Sequence, residues 1–171
     1  MHLVSRLAVA LAIVAALAAP VSADVRVGDA APALALADGD GRTVTLESFR
    51  GRVVILDFTA SWCTACRTAL PELDALGARY AARGVAVVTV AIDADRADAD
   101  RFLAEVVPNR TMTVLYDRSA SALARFGAAG MPAHYVIDGA GVVRFVASGY
   151  GPDRLRAMTD VLGAILATSA P

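Results

Sequence analysis

Two largely apolar runs dominate the middle of the chain, from Val53 to Thr59 and from Val85 to Ile92. The first does not alternate at its start and the second is continuous, which is typical of strands buried on both faces. Between them, large apolar or aromatic side chains recur at helical spacing, namely Leu70, Leu73, Leu76 and Tyr80. The pattern predicts two buried strands joined by a helix that begins at Cys63. Pro71 should kink this helix, and Gly84 should end it.

Shorter elements are predicted before the first of these strands. Asp24 to Leu36 is apolar but broken by a proline, which indicates an extended entry segment. Asp38 to Gly41 is a Gly/Asp run that predicts a tight turn between two short strands. Residues 46–49 then fit one helical turn, which Gly51 would end.

The second buried strand is followed by an acidic stretch, Asp93 to Asp100, which we expect to be a solvated helix entry. The helix itself should run from about Ala97 to Val107. A short strand is predicted at Thr113 to Tyr116. A further helix should then end at Phe126, with Ser119 as its N-cap.

The end of the chain predicts a hairpin and a last helix. Ala133 to Ile137 and Val142 to Ala147 flank a Gly/Asp turn, as in a β-hairpin. Pro152 suits the first turn of a helix, whose apolar stripe comprises Leu155, Met158, Leu162 and Ile165. Strands that alternate with helices indicate a three-layer α/β domain, and the terminal hairpin makes its sheet mixed. The 171 residues correspond to one domain, without repeats or a linker.

The N-terminus has the pattern of a secretory signal peptide. Thirteen apolar residues, Leu7 to Ala19, follow a single arginine, and the small residues Val21 to Ala23 precede a cleavage point. The apolar stretch is short for a membrane span, although an uncleaved anchor is the alternative. We therefore predict a leader over 1–23, cleavage near Ala23, a domain over 24–171 and a periplasmic or extracytoplasmic location. Such compartments are where disulfides form.

Charge excludes some classes of function. The chain has 17 acidic and 16 basic residues, so no broad basic field indicates a nucleic-acid partner. Every basic residue other than histidine is arginine, which rules out lysine-based chemistry.

The only two cysteines, Cys63 and Cys66, lie two residues apart at the predicted helix start. Free N–H groups and the helix dipole stabilise negative charge there, which favours a reactive thiolate. The spacing lets the second sulfur displace the first from a mixed disulfide.

Three alternative interpretations of the cysteine pair are weaker. A structural disulfide would close a loop too short to stabilise the fold much. A zinc site needs about four ligands, and besides the two cysteines the only other soft ligands are His2, which lies in the predicted leader, and His134. Two inert core cysteines would leave the paired spacing unexplained.

In combination, these motifs resemble the thioredoxin superfamily, most closely its exported TlpA/ResA-like thiol–disulfide oxidoreductases. The matching segments are Gly28 to Pro32, Gly51 to Val54, Phe58 to Cys63 and Gly130 to Asp138, together with Pro71. The resemblance covers nearly all of the chain after the leader. It implies a thioredoxin-like α/β/α sandwich with a central mixed sheet.

The resemblance also implies roles for single residues. Cys63 corresponds to the attacking cysteine and Cys66 to the resolving one, and the two would form the redox disulfide. Pro132 corresponds to a cis-proline that places the Met131 backbone where a substrate chain can pair with it, although most X–Pro bonds are trans. Trp62 corresponds to the aromatic residue that flanks the site, with a simple surface anchor as its alternative.

This chain departs from the family pattern at three positions. Ala65 replaces the usual proline, so the redox potential cannot be transferred. Ala69 replaces a frequent glutamate, and Asp57 on the preceding strand takes its place, as in classical thioredoxin and the C-terminal domain of DsbD. We predict that Asp57 is buried and takes the proton from Cys66; the alternative is a structural carboxylate bonded by backbone groups. Ala133 replaces the glutamate of the cytochrome-maturation branch, which weakens that assignment.

The sequence thus predicts an exported thiol–disulfide oxidoreductase that reduces disulfides in periplasmic proteins, without a cofactor or a metal. Its partners would be disulfide-containing exported proteins and a thiol reductase, membrane-bound or soluble. One alternative is a thiol peroxidase, but Ala60 stands where those enzymes carry threonine and Thr59 is one position off. The other is a Cu(I) carrier using both cysteines and His134. We expect His134 to be a satisfied, non-catalytic histidine.

Overall fold

The computed structural model describes residues 24–168, so the predicted leader, 1–23, lies outside the described residues. The strands are β1 (Ala35–Asp38), β2 (Thr43–Thr45), β3 (Val53–Thr59), β4 (Val85–Ala91), β5 (Thr113–Tyr116), β6 (Ala133–Ile137) and β7 (Val143–Ser148). The helices are α1 (Thr64–Tyr80), α2 (Arg96–Val106), α3 (Ser121–Arg125) and α4 (Pro152–Thr168). Short 3₁₀ turns cover Leu46–Phe49 and Ala81–Arg83. Helix α1 contains Pro71 as predicted and is continued by the second 3₁₀ turn, which Gly84 ends.

The strands form one mixed sheet in the order β2-β1-β5-β4-β3-β6-β7. The central strands β3, β4 and β5 are parallel. Strand β6 is antiparallel to β3 and to β7, which confirms the predicted terminal hairpin and the mixed sheet. All residues of β3, β4 and β6 are buried, as their continuous apolar sequences predict.

Helix α1 packs closely on one face of the sheet. A Cβ atom at Gly77 would lie 2.5 Å from Cγ2 of Val87, so only glycine permits this approach. Val87 is paired in register with Ile55, and both therefore project toward α1. Helices α2 and α4 flank α1 on the same face, where Arg67 bonds Glu105 of α2 and a shallow groove separates α1 from α4.

The opposite face carries an aromatic cluster. The ring of Phe58 lies 5.5 Å from that of Phe126 and 6.1 Å from that of Tyr135. The Tyr135 hydroxyl donates to the carbonyl of Phe126, which fixes the end of α3. Helix α3 and α1 thus lie on opposite sides of β3, and the predicted three-layer α/β/α arrangement is confirmed.

The start of α3 differs from the prediction. Ser119 is not the N-cap; Ala120 occupies that position with φ 52° and offers no side-chain bond. Asp117 takes over the capping, because its carboxylate accepts from the N–H of Ala122 at 2.7 Å and from the Ser119 hydroxyl at 2.7 Å. A carboxylate is the stronger acceptor, so the serine hydroxyl acts as a donor to it. Within residues 24–168, no helix combines the length and apolarity needed to cross a membrane.

Candidate active site

The sheet brings two loops from distant parts of the chain to one edge. The loop 60–63 follows β3, and the Met131–Pro132 peptide precedes β6. Strands β3 and β6 are antiparallel neighbours with Phe58 opposite Ala133, so the end of one strand meets the start of the other. The Met131–Pro132 bond is cis, the geometry that the resemblance implies. The predicted cysteines and the predicted proline therefore share this edge.

Cys63 and Cys66 form a disulfide, with Cα atoms 5.3 Å apart. Cys63 is the N-cap of α1, and its sulfur accepts a bond from the N–H of Cys66 at 3.2 Å. The first turn of α1 contains no acidic residue, so the positive end of the helix dipole is not offset there. Cys63 is 6% exposed and Cys66 is fully buried. The arrangement favours a thiolate at Cys63 and leaves its sulfur as the one that a partner can approach.

Asp93 holds the loop that leads to these cysteines, a role that the sequence did not reveal. Its carboxylate accepts from the N–H of Ser61, 3.1 Å from each oxygen, and from the Ser61 hydroxyl at 2.5 Å. Asp93 is 5% exposed, so its prediction as part of a solvated helix entry is wrong. The physical reason is register: Thr59 pairs with Ala91, so the residues two positions beyond each strand end meet. Residues 94–97, which include Asp95 as the cap of α2, are exposed, and Asp98 and Asp100 are partly exposed.

Asp57 and His134 form a buried pair on adjacent strands. Both are 1% exposed, and they are opposite each other in the register of β3 and β6. Nδ1 of His134 lies 3.0 Å from Oδ1 of Asp57. The contact has ion-pair distance but not the alignment of a hydrogen bond, and no other residue of the described part bonds either side chain. The burial predicted for Asp57 is observed. The prediction of a satisfied His134 is wrong, because neither ring nitrogen has an aligned hydrogen-bond partner within residues 24–168.

The pair faces the helix that carries the cysteines. Neighbouring residues of a strand project to opposite faces, and Phe58 belongs to the aromatic cluster on the α3 side. Asp57 therefore projects to the other side, as do Ile55 and, in the β3–β6 register, His134. Thr59, another buried residue of this parity, also has a hydroxyl without a partner among residues 24–168. The sheet surface under α1 thus concentrates polar groups in an otherwise apolar core.

The three predicted substrate-binding residues differ in exposure and in backbone hydrogen bonding. Trp62 is 64% exposed, which is unusual for so large an apolar side chain. The carbonyl of Pro132 accepts from the N–H of Gly149 at 2.7 Å. The backbone N–H and carbonyl of Met131, in contrast, bond no other residue of the described range. Among those residues, no group of three or more His, Cys, Asp or Glu side chains is arranged to hold a metal ion.

Comparison with known proteins gives consistent matches. The redoxin family model matches residues 26–163. The thiol-disulfide oxidoreductase ResA of Geobacillus thermodenitrificans is 29% identical over 86% of this chain and 88% of its own length. ResA of Oceanobacillus iheyensis is 32% identical over 72% of this chain and 66% of its own length. A crystal structure from Chlorobium tepidum, assigned as a thiol:disulfide interchange protein DsbE, superimposes with a TM-score of 0.79 and 37% identity, covering 84% of this chain and 99% of that one.

Proposed function

The chain belongs to the redoxin family, within which it is a TlpA/ResA-like thiol–disulfide oxidoreductase of the thioredoxin superfamily, and we propose that it reduces disulfides of exported proteins through Cys63 and Cys66. The observation that carries the proposal is the cysteine pair at the N-cap of α1, on the sheet edge shared with the cis-proline.

The proposed reaction is two successive thiol–disulfide exchanges. The Cys63 thiolate attacks a substrate disulfide, so a Cys63–substrate disulfide forms and one substrate thiolate leaves. Cys66 then attacks the Cys63 sulfur, loses its proton and releases the second substrate thiolate. The substrate gains two electrons, and the protein ends with the Cys63–Cys66 disulfide. Another thiol protein must return the electrons before the next cycle.

The division of labour between the cysteines follows from access and charge. The sulfur of Cys63 accepts the N–H of Cys66 and lies at the positive end of the helix dipole, which favours its thiolate. Cys66 has no exposed surface, so it suits an internal resolving thiol. Asp57 projects toward the same helix, which supports a role as acceptor of the Cys66 proton.

We further propose that Trp62, Met131 and Pro132 bind the substrate chain. The exposed indole offers apolar contact area beside the disulfide. The unpaired backbone groups of Met131 can bond an extended segment, as in recognition by strand addition. Such contacts involve the substrate backbone and not particular side chains, so they would accept many cysteine-containing proteins.

Export is the second part of the proposal. The apolar stretch Leu7 to Ala19 and the small residues before Asp24 fit a cleaved leader over 1–23. A reductant outside the cytoplasm acts where disulfides form. It would serve periplasmic or other extracytoplasmic proteins and would depend on a thiol reductase as donor. N-terminal sequencing of the protein from the cell envelope should give a start at or near Asp24; a retained Met1 would support an anchor instead.

A redox titration tests the direction of the reaction. The chain from Asp24 is equilibrated with glutathione mixtures. For a reductant, its Cys63–Cys66 potential should lie closer to about −270 mV, as in thioredoxin, than to about −120 mV, the range of an oxidant. The reduced protein should reduce a model disulfide with one disulfide cleaved per molecule, and Cys63→Ser should abolish this. Rapid consumption of peroxide with no such cleavage would favour the thiol peroxidase alternative.

A further inference from the structure

The two exchange steps leave one buried titratable residue without a role, His134. We propose that His134 is a positioning residue that acts through Asp57, so that the two side chains form an internal proton relay for the resolving cysteine. The inference rests on the proposed function and adds to it a residue to which the family resemblance assigns no role.

The contact itself supports a shared proton. Both side chains are 1% exposed, Nδ1 of His134 lies 3.0 Å from Oδ1 of Asp57, and neither side chain has an aligned hydrogen bond to any other residue within 24–168. An isolated buried carboxylate is costly, and so is an isolated buried imidazolium. A protonated imidazole 3.0 Å from the carboxylate removes both costs, because the pair is then neutral overall.

The surroundings leave no competing cation for Asp57. On its other side in the sheet is Thr89, whose hydroxyl instead donates to the sulfur of Met112 at 3.2 Å. The charged side chains of α1 have other partners: Arg67 bonds Glu105, Glu72 bonds Tyr150, and Asp74 accepts from the N–H groups of Thr111 and Met112. Arg79 lies over the ring of Tyr80, and the two cysteines at the start of α1 form the disulfide. Asp93 is engaged with Ser61. Every arginine that forms an ion pair in the described part does so with another carboxylate.

The proton balance of the second exchange gives the pair its task. When the Cys66 thiol attacks, its S–H bond breaks, the Cys63–Cys66 bond forms, and the substrate sulfur leaves as a thiolate. The proton passes to a carboxylate oxygen of Asp57, and His134 can take it at Nδ1. The pair changes from a net charge of minus one to neutral, so uptake relieves a buried charge. In the reverse direction, the pair returns the proton as Cys66 leaves.

The test separates the two exchanges by their products. The substrate is an aromatic disulfide that releases two coloured thiolates. Release of the first thiolate reports attack by Cys63, and release of the second reports resolution by Cys66. His134→Asn places an amide, which can donate and accept hydrogen bonds, near the Nδ1 position, but this amide cannot take up a proton. We expect it to slow the second release by about tenfold near neutral pH, which is below the about 10²-fold expected for loss of the general base itself. The first release should keep its rate.

The pH profile distinguishes a relay from a packing defect. In the wild-type protein the second release should vary across about pH 6 to 9, and in His134→Asn that dependence should flatten. Thr89→Val is the matched control, because it removes a buried hydroxyl from the other neighbour of Asp57 and should leave both profiles unchanged. A His134→Asn profile that matches the wild type overturns the relay. A wild-type protein that gives no second release contradicts the proposed function instead.

A second measurement does not depend on catalysis. His134 is the only histidine after residue 23, so the chain from Asp24 has a single imidazole in its NMR spectrum. Its signals should differ between the disulfide and dithiol forms, and Asp57→Asn should abolish that difference while the backbone spectrum stays folded. Imidazole signals that are identical in both redox forms would contradict a proton link to the dithiol.

Discussion

The bond between Asp93 and Ser61 makes a quantitative prediction about the active-site loop. Asp93→Asn replaces a charged carboxylate with a neutral amide, whose single carbonyl oxygen is a weaker acceptor for the N–H and the hydroxyl of Ser61. Its NH₂ group also replaces the second oxygen that accepts from the Ser61 N–H. A hydrogen bond to a charged group contributes about 1.5–3 kcal/mol. Removing the buried charge returns part of its desolvation cost. We therefore expect the free energy of unfolding to fall by about 1–2 kcal/mol.

A double-mutant cycle isolates the contact. Ser61→Ala removes the hydroxyl donor and should cost about 1 kcal/mol alone. In the double variant, the hydroxyl bond is already lost, so the two effects should overlap by about 1 kcal/mol instead of adding. Urea unfolding of the disulfide form measures all four proteins. Costs that add within about 0.5 kcal/mol would refute the bond as the source of the effect.

The same variants should also change the chemistry, because Ser61 is two residues before Cys63. A shift of the loop misplaces the attacking sulfur, and misplacement of about 1 Å can cost about 10²-fold in rate. The first release from the aromatic disulfide should therefore slow in Asp93→Asn. Asp95→Ala is the control, since it removes the side-chain cap of α2, which has no bond to the loop. Equal slowing by both variants would point to general destabilisation.

Three further predictions concern other parts of the structure. Gly77→Ala should lower the free energy of unfolding by about 1–3 kcal/mol in urea titrations, because its Cβ would overlap Val87, whereas Gly163→Ala in α4 has open space and should not. Burial raises the pKa of Asp117, but hydrogen bonds from Ala122 and Ser119 outweigh burial and hold that pKa below its usual value. The stability that Asp117 adds is therefore present above about pH 4 and is lost as the pH falls through the lowered pKa. The difference in free energy of unfolding between wild type and Asp117→Asn should accordingly become smaller in acid. Cys66→Ser should accumulate mixed disulfides with partners on non-reducing gels and Cys63→Ser should not; equal trapping would overturn their assigned roles.

Elements with a strong local pattern were predictable from the sequence. The buried strands, the helix after Cys63 and the terminal hairpin each depend on residues close together in the chain, and the structure confirms them. The contact between His134 and Asp57 was not predictable in this way, since it depends on the register of two antiparallel strands far apart in sequence. Asp93 was missed for a different reason. It opens an acidic stretch, and only its position just beyond a buried parallel strand distinguishes it from its exposed neighbours.

The two buried carboxylates of the site illustrate how different bonding serves different tasks. The carboxylate of Asp93 accepts from the N–H and the hydroxyl of Ser61, and a carboxylate bonded in this way fixes the geometry of the loop. Asp57 has no aligned hydrogen bond among residues 24–168 and only the imidazole of His134 nearby. Native structures satisfy nearly all buried polar groups, so an unsatisfied one requires an explanation. The proposed proton exchange would supply it, because a carboxylate that gains and loses a proton in each cycle cannot be committed to fixed donors.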